Sequence, residues 1–230
     1  MIISRTPFRM SFFGGGTDYP VWYREHGGTV LATSIDKFCY ISCRRLPPFF
    51  EHKSRIVYSR IESVNAPEEI QHPAVRECLR FMGVSEGLEI HHDGDLPART
   101  GLGSSSSFTV GLLHSLYALR QHMPSRMQLA RDAIKVEQDM IRETVGAQDQ
   151  VTAAVGGFNR IEFLPSGEIN VHPVILPSAR LEDLQARLML FFTGFSRHAS
   201  AIAQKQVEAP PAKPAALARM GGMVKTAREI

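Results

Sequence analysis

A glycine-rich loop that leads into a run of serines has the clearest chemistry in this chain. The segment is Leu96-Pro-Ala-Arg-Thr-Gly-Leu-Gly-Ser-Ser-Ser-Ser107. Glycine lacks a Cβ atom, so Gly101 and Gly103 allow an anion to approach the main chain closely. Apolar residues at helical spacing follow, so we predict that Ser104 to Ser107 form the first turn of a helix, whose free N–H groups and positive dipole end attract anions. The loop is thus predicted to bind phosphate, although a glycine–serine turn with a helix cap explains the loop equally well if it is taken alone.

The two familiar nucleotide-binding patterns do not describe this loop. The pattern GxxxxGK[ST] is absent because no lysine follows Gly103, and GxGxxG fails because Ser106 stands where the last glycine would be. A different kind of phosphate loop is required.

A carboxylate on an apolar helix face is the second chemical feature. The pattern predicts an amphipathic helix that ends near Val145-Gly146 and carries Glu137 on its apolar stripe, among Met127, Ala130, Ala133, Ile134, Met140 and Ile141. An unpaired buried charge costs several kcal/mol, in order of magnitude. A metal ion or another cationic partner explains Glu137 best, and a partly exposed position at the rim of the stripe is the alternative.

The elements that would position these groups predict a mixed α+β domain. Alternation predicts strands from Ile2 to Phe13 and from Thr29 to Arg44, with Phe38, Tyr40 and Ser42 facing away from Cys39, Ile41 and Cys43. Further predicted elements are strands at Arg55–Ser59 and Leu88–His92, a helix at Pro67–Met82 and a hairpin around Pro165-Ser-Gly167.

Composition excludes several classes of protein. The 230 residues, 43% of them hydrophobic, suffice for one large or two small domains, and the net charge of +3 is spread along the chain, which argues against a nucleic-acid or membrane surface. No signal peptide or run of ~20 apolar residues is present, so we expect a cytoplasmic protein. The cysteines Cys39, Cys43 and Cys78 form no CxxC pair and are interpreted as core residues, without a structural metal.

A second unit is predicted to begin near Leu176. It would contain a strand at Arg187–Thr193, a helix from about His198, a spacer rich in proline and alanine at Ala209–Ala216, and a helix that reaches Ile230. One strand cannot bury a sheet face alone, so this unit requires a partner or is cut short. We therefore expect apolar surface along Leu188–Phe192 and, as a consequence, self-association or instability.

Three segments in register with the loop carry a family resemblance. They are Arg9-Met-Ser-Phe-Phe-Gly-Gly-Gly-Thr-Asp-Tyr-Pro20, Glu137, and Gly146-Ala-Gln-Asp-Gln150. In this order they resemble the GHMP small-molecule kinases over nearly the whole chain. The resemblance implies an α+β fold in which a GHMP kinase N-terminal domain, similar to ribosomal protein S5 domain 2, covers residues 1–175 and an incomplete ferredoxin-like domain covers 176–230.

Within that superfamily the chain looks most like the D-glycero-D-manno-heptose 7-phosphate kinases. The similarity rests on the triple glycine before Thr17-Asp18, on Ile70–Glu77 and on Phe192–Arg197. It implies ATP-dependent phosphorylation of the anomeric hydroxyl of a heptose 7-phosphate, toward nucleotide-activated heptose for lipopolysaccharide or capsule. Galactokinase-like relatives carry glutamate and histidine where this chain has Gly15-Gly16. A fucokinase-like enzyme and a non-catalytic ligand-binding protein are the alternatives, and a homodimer is left open.

The resemblance also implies roles for individual residues. Asp149 would take or orient the proton of the sugar hydroxyl, and Arg9 would stabilise charge on the transferred phosphoryl group. Glu137 would bind Mg²⁺ together with Ser105. The ATP phosphates would lie on Thr100, Gly101, Leu102, Gly103, Ser104, Ser105 and Ser106. The sugar would contact Gly15, Gly16, Thr17, Asp18 and Arg197, and Arg99 is a further candidate for its phosphate.

One departure from the family concerns the C-terminal part. These kinases have a third glycine-rich segment late in the chain, and nothing after Gly194 matches it, because Gly221-Gly222 is too short and lies in a helix-like context. We therefore interpret the chain as a truncated member of the superfamily.

Overall fold

The computed structural model describes residues 1–98, 100–191 and 213–229. The strands and helices of the first half are β1 (Ile2–Phe13), α1 (Pro20–His26), β2 (Gly28–Arg45), β3 (Ser54–Val57), β4 (Ile61–Val64), α2 (Pro73–Met82) and β5 (Leu88–Gly94). Those that follow are α3 (Ser104–Leu119), α4 (Arg126–Ile134), α5 (Gln148–Val155), β6 (Phe158–Phe163), β7 (Ile169–Pro173), α6 (Ser178–Ala186) and α7 (Lys213–Glu229). A 3₁₀ turn covers Pro67–Glu69, and a π-helical segment covers Lys135–Met140.

The strands form one mixed sheet. Its order is β4-β3-β5-β2-β6-β7, with β1 paired to the other edge of β2, and only the β3–β5 pair is parallel. β2 is 18 residues long, which lets it pair with β5 through one half and β6 through the other while β1 runs along its opposite edge. β2 is therefore the strand that connects the two halves of the sheet. The predicted α+β class is confirmed.

The core lies on one face of this sheet, beneath α2 to α5. Cys39, Ile41 and Cys43 point into it and are almost completely buried, as their alternation predicts, and Cys78 joins them from α2. α3 crosses β1 and β2 at the centre of this layer and is apolar on most sides, because it is enclosed by the sheet and the neighbouring helices. Its position fixes where its N-terminus, and thus the phosphate loop, emerges.

Two predicted helices differ in their details. The helix predicted from Pro67 begins at Pro73, because the residue before a proline disfavours helical geometry and His72 instead caps α2. The helix that carries Glu137 is α-helical only up to Ile134 and then widens into the π segment. The strands predicted before residue 176 and the hairpin are confirmed within a few residues.

The strand predicted at Arg187–Thr193 is wrong for the part that the structure describes. α6 ends at Ala186, and Leu188 to Phe191 pair with no strand of the described residues. An extended apolar segment becomes part of a sheet only when it hydrogen-bonds to a neighbouring strand. The expected apolar exposure is confirmed there, with Met189 80% and Phe191 72% exposed. The helix predicted from His198 and the start of the Ala209–Ala216 spacer lie outside the described residues.

The C-terminal helix is confirmed as α7, and it includes Gly221-Gly222. Among the described residues, no helix is long and apolar enough to cross a membrane.

Candidate active site

A bidentate ion pair joins the first strand to the fifth helix. Arg9 Nε donates to Asp149 Oδ1 at 2.7 Å, and Arg9 Nη2 donates to Asp149 Oδ2 at 2.8 Å. The pairing register of β1 shifts between Pro7 and Arg9, the kind of irregularity that re-aims a side chain at a site. Burial alone would lower the pKa of Arg9, but the charge of Asp149 and their hydrogen bonds raise it above its ordinary value. The guanidinium therefore stays charged beside the carboxylate.

The glycine loop packs directly on this ion pair. Arg9 Nη1 donates to the Gly101 carbonyl at 2.8 Å, and the Arg9 amide donates to the Leu102 carbonyl at 3.0 Å. Gly101 and Gly103 have φ of +78° and +75°, a left-handed conformation that favours glycine. A Cβ on Gly103 would also lie 3.0 Å from Arg9 Cγ and 3.5 Å from Asp149 Oδ2. Both glycines are thus required where the loop meets the catalytic candidates.

The serine run begins α3, as predicted. α3 starts at Ser104, and Gly103 in the N-cap position has no side chain that could cap the first turn. Ser105 is exposed, whereas Ser107 is buried and donates to the Pro7 carbonyl at 2.8 Å. The Thr100 hydroxyl is buried and without a hydrogen-bond partner among the described residues. The loop therefore combines an open helix N-terminus with hydroxyl groups, which suits a bound phosphate.

Glu137 is buried, as its place on the apolar stripe predicts. It lies in the π segment, 1% exposed, and its Oε2 accepts hydrogen bonds from Ser106 Oγ at 2.8 Å and from Gln150 Nε2. Its Oε1 has no hydrogen-bond partner in the described part of the chain. Burial raises the pKa of Glu137 to about 7, against the lowering effect of hydrogen bonds from Thr109, Gln150 and Ser106. Of the serines in the loop, Ser106 and not the predicted Ser105 donates to Glu137.

Asp18 is also buried and joins two segments of the site. Its Oδ1 accepts a hydrogen bond from the Gly16 amide at 3.0 Å, and its Oδ2 accepts one from the Gln148 amide at 3.1 Å. Burial, followed by the charge of Asp149, raises the pKa of Asp18 to about 6. Asp18 therefore connects the turn at Gly14–Gly16, called the glycine turn below, to the N-terminus of α5. Its side chain is fully buried, whereas the resemblance implies that it contacts the sugar.

The approach of Asp18 explains a glycine of the GxxDQ segment. A Cβ on Gly146 would lie 1.9 Å from Asp18 Oδ2, far inside van der Waals contact. Residue 146 must therefore lack a side chain if Asp18 is to reach α5.

The remaining predicted sugar contacts divide between two sides of the glycine turn. A Cβ on Gly15 would lie 3.7 Å from Gln148 Nε2, on the side of α5, whereas one on Gly16 would lie 2.9 Å from Leu217 of α7. Thr17 is buried, and its hydroxyl bonds to the Gly14 carbonyl at 2.8 Å. Arg197 and Arg99 lie outside the described residues.

A cleft of about 920 Å³ lies elsewhere, between α7 and the strands β2 and β6. Thr17, Trp22, Arg160 and Gly221 line it, but Arg9 and Asp149 do not. Arg9 and Asp149 are paired with each other, and their hydrogen bonds, rather than this cleft, define the candidate site. Within the described residues, no group of three or more histidine, cysteine or acidic side chains could hold a metal ion.

The residue that sequence reasoning missed is Gln150. It stands beside Asp149 in the GxxDQ segment, which was a signal for its importance, but its partner Glu137 lies 13 residues earlier in another element.

Residues 70–157 match the model of the GHMP kinases N terminal domain, and this range includes the phosphate loop, Glu137 and Asp149. This stretch is therefore similar to a GHMP kinase N-terminal domain. The D-glycero-alpha-D-manno-heptose 7-phosphate kinase of Campylobacter jejuni is 27% identical over an alignment of 216 residues, which covers 87% of this chain and 62% of that protein. The chain thus spans less than two thirds of the length of this curated relative.

Two solved structures share the fold of this chain. A D-glycero-D-manno-heptose 1-phosphate kinase from Bacteroides thetaiotaomicron superposes with a TM-score of 0.76 at 23% identity. The superposition covers 96% of this chain and 74% of the chain of that kinase. The phosphomevalonate kinase of Streptococcus pneumoniae, in complex with phosphomevalonate and AMPPNP, superposes with a TM-score of 0.72 at 15% identity and covers 100% of this chain and 73% of its own. The α+β fold of the GHMP kinases is therefore shown.

Proposed function

We propose that the chain carries the catalytic site of an ATP-dependent sugar kinase. The observation that supports this most directly is the Arg9–Asp149 ion pair, which lies against the glycine loop at the N-terminus of α3. A carboxylate and a guanidinium beside a phosphate loop are the groups that transfer of a phosphoryl group to a hydroxyl requires. In this proposal residues 1–175 form the nucleotide and sugar domain, and residues 176–230 begin a second domain.

The loop would hold the phosphates of ATP. Residues Thr100 to Ser106 provide main-chain amides at the helix N-terminus, glycines that permit close approach, and the unpartnered Thr100 hydroxyl. Arg9 contacts the loop through the Gly101 carbonyl, so its charge lies where the transferred group would pass. It would stabilise the negative charge that spreads over the phosphoryl oxygens.

Asp149 would act on the sugar hydroxyl. Arg9 occupies one side of each carboxylate oxygen, and each oxygen keeps a further lone pair that can accept a hydroxyl proton. The bidentate pair fixes the carboxylate in one orientation, as a base or an orienting group must be fixed.

The residues around Glu137 fit a Mg²⁺ ion. The buried Oε1 has no hydrogen bond within the described residues, and burial raises the pKa of Glu137 to about 7, as expected for a carboxylate without a nearby positive charge. Glu137 would hold the ion with Ser105, which stands exposed in the first turn of α3 beside Ser106. Bound Mg²⁺ would neutralise charge on the nucleotide phosphates.

We further propose a heptose 7-phosphate, phosphorylated at its anomeric hydroxyl, as the substrate. Gly15-Gly16 replace the glutamate and histidine of galactokinase-like chains, and the similar curated protein acts on heptose 7-phosphate. A fucokinase-like activity is the second candidate, since the same absence of those two side chains is compatible with other sugars.

An ADP-release assay tests these proposals. Heptose, mannose and fucose, each with and without a phosphate group, would be offered to this chain and to a version extended by the C-terminal part of a heptose kinase. Turnover that is greatest with heptose 7-phosphate is expected. Binding of MgATP without turnover of any sugar by either version would instead favour the non-catalytic ligand-binding protein.

A further inference from the structure

The first turn of α5 contacts three separate parts of the site through three consecutive residues. The main-chain N–H of Gln148 donates to Asp18, the carboxylate of Asp149 pairs with Arg9, and the side-chain amide of Gln150 donates to Glu137. Successive side chains leave a helix about 100° apart, so one turn can face three directions. α5 thus links the glycine turn, the ion pair and the proposed cation ligand.

The third of these contacts is between two fully buried side chains. Gln150 is 0% exposed, and its Nε2 donates to Glu137 Oε2. Ser106 Oγ donates to the same oxygen from the opposite helix, α3. Thr109, farther along α3, also lowers the pKa of Glu137, and its hydroxyl lies 3.3 Å from the Ser105 carbonyl. Ser106 and Gln150 both bind Oε2.

The other ends of these two groups lack partners. Glu137 Oε1 and Gln150 Oε1 are both buried, and neither has a hydrogen bond within the described residues. A pair that served packing alone would be expected to satisfy its acceptors, because buried unpaired oxygens are costly. Two buried acceptors without donors indicate instead that a cation belongs near them.

We propose that Gln150 is a positioning residue for this cation: its amide and the Ser106 hydroxyl hold Glu137 through Oε2 and so leave Oε1 as the metal-binding oxygen. The inference rests on the proposed function, since it takes Glu137 as the Mg²⁺ ligand. Because Gln150 follows Asp149 directly, the same helical turn would hold both the metal ligand and the proposed base in place.

The test compares two substitutions on α5. Gln150→Met keeps the length of the side chain but removes the amide donor. Thr152→Val is the matched control, because Thr152 is equally buried and its hydroxyl bonds only within α5, to the Gln148 carbonyl at 2.8 Å. ATP binding would be measured by calorimetry over a series of Mg²⁺ concentrations, together with a thermal melt of each protein.

Gln150→Met should bind metal-free ATP about as well as the wild type, within about twofold, since only the outer partner of a metal ligand is altered. The Mg²⁺ concentration that gives half of the metal-dependent gain in affinity should rise by about 10–100-fold, the range seen when such partners are removed. Thr152→Val should leave this concentration unchanged. An unchanged Mg²⁺ requirement in a folded Gln150→Met protein would overturn the inference.

Two further measurements cover a variant that does not fold and a failure of the proposed function. Gln150→Asn keeps the amide but is one methylene too short to reach Glu137, so it should show the same shift, and a wild-type Mg²⁺ requirement there would also refute the inference. If wild-type protein bound ATP without any dependence on Mg²⁺, or not at all, the proposed function itself would fail. In that case the free energies of unfolding of Glu137→Gln, Gln150→Met and the double variant test the Gln150–Glu137 contact. If the two single changes add up to the effect of the double variant, the two side chains do not interact and the contact is disproved.

Discussion

The site and the C-terminal region of this chain are held in very different ways. In the site, Arg9 bonds to the Gly101 carbonyl, 92 residues away, and to the Asp149 carboxylate, 140 residues away, at 2.8 and 2.7 Å. In the C-terminal region α6 buries no residue, and in α7 Val224 is the one buried side chain among those described. The difference teaches that the geometry of the site comes from β1, the glycine loop and α5, and not from the exposed helix α6.

The contact of α7 is nonetheless specific. Cβ atoms on Gly14 and Gly16 would lie 2.9 Å from Val224 and Leu217, and Gly221 faces Thr17 and Thr29. These α7 residues recur at helical spacing and place one face of the helix on the glycine turn. Substitutions should therefore have large effects in the N-terminal site and small ones in α7 unless they lie on this face.

The largest expected effect comes from Asp149→Asn. In an active form of the enzyme, loss of this positioned base should lower kcat by a factor on the order of 10²–10⁴ and leave ATP binding nearly intact. Asp183→Asn is the matched control, since Asp183 pairs with arginines on the surface of α6 and far from the loop in sequence. Steady-state kinetics check this, and an unchanged kcat for Asp149→Asn would refute the base assignment.

Glu137→Gln should separate stability from function. The folded pKa of Glu137 lies near 7, above its ordinary 4.5, so the contribution of Glu137 to stability is fully present below pH 4.5 and is lost as pH rises through 7. The amide removes this loss. The variant should gain up to about 3 kcal/mol over the wild type at pH 8, little at pH 4, and bind MgATP more weakly.

Denaturant unfolding at several pH values and calorimetry of MgATP binding measure both effects of Glu137→Gln. Glu182→Gln, on the exposed surface of α6, should change neither. Equal affinity for MgATP in Glu137→Gln and in the wild type would contradict the proposal that Glu137 binds Mg²⁺.

Gly146→Ala should destabilise the site by about 1–3 kcal/mol, because the added methyl group would overlap the buried Asp18 carboxylate. Gly222→Ala in α7 is the matched change: nothing lies within 4 Å of its Cβ position, and alanine is the better helix former. It should be neutral or stabilise by up to about 1 kcal/mol. Urea unfolding of both variants decides, and equal effects would contradict the contrast between the two regions.

The smallest effect on stability is expected from replacing Leu190 and Phe191 by serine. These side chains are 63% and 72% exposed, so their loss should shift the free energy of unfolding by no more than about 0.5 kcal/mol. It should, however, reduce self-association, because it breaks an exposed apolar segment. Light scattering over a range of concentrations measures this, and a wild-type protein that is already a monomer would dismiss the segment as a cause of association.

Patterns local in sequence were sufficient for much of the fold. Alternation predicted β1 and β2, the glycine–serine run predicted the start of α3 at Ser104, and helical spacing predicted that Glu137 is buried. Each of these depends on neighbouring residues, so the chemical types within about ten positions carry the information. The strand at Arg187–Thr193 was wrong in its described part for the complementary reason, since a strand also needs a partner that its own residues do not specify.

The pairing of the functional side chains was decided by the tertiary structure alone. The motifs identified Arg9, Asp18, Glu137 and Asp149 as candidates. They did not show that Arg9 forms an ion pair with Asp149, or that Asp18 packs directly against Gly146. Nor did they show that Gln150 holds Glu137. Such partners come from distant segments that meet only after β1, α3 and α5 pack on the sheet, and burial then determines which of them exchange hydrogen bonds.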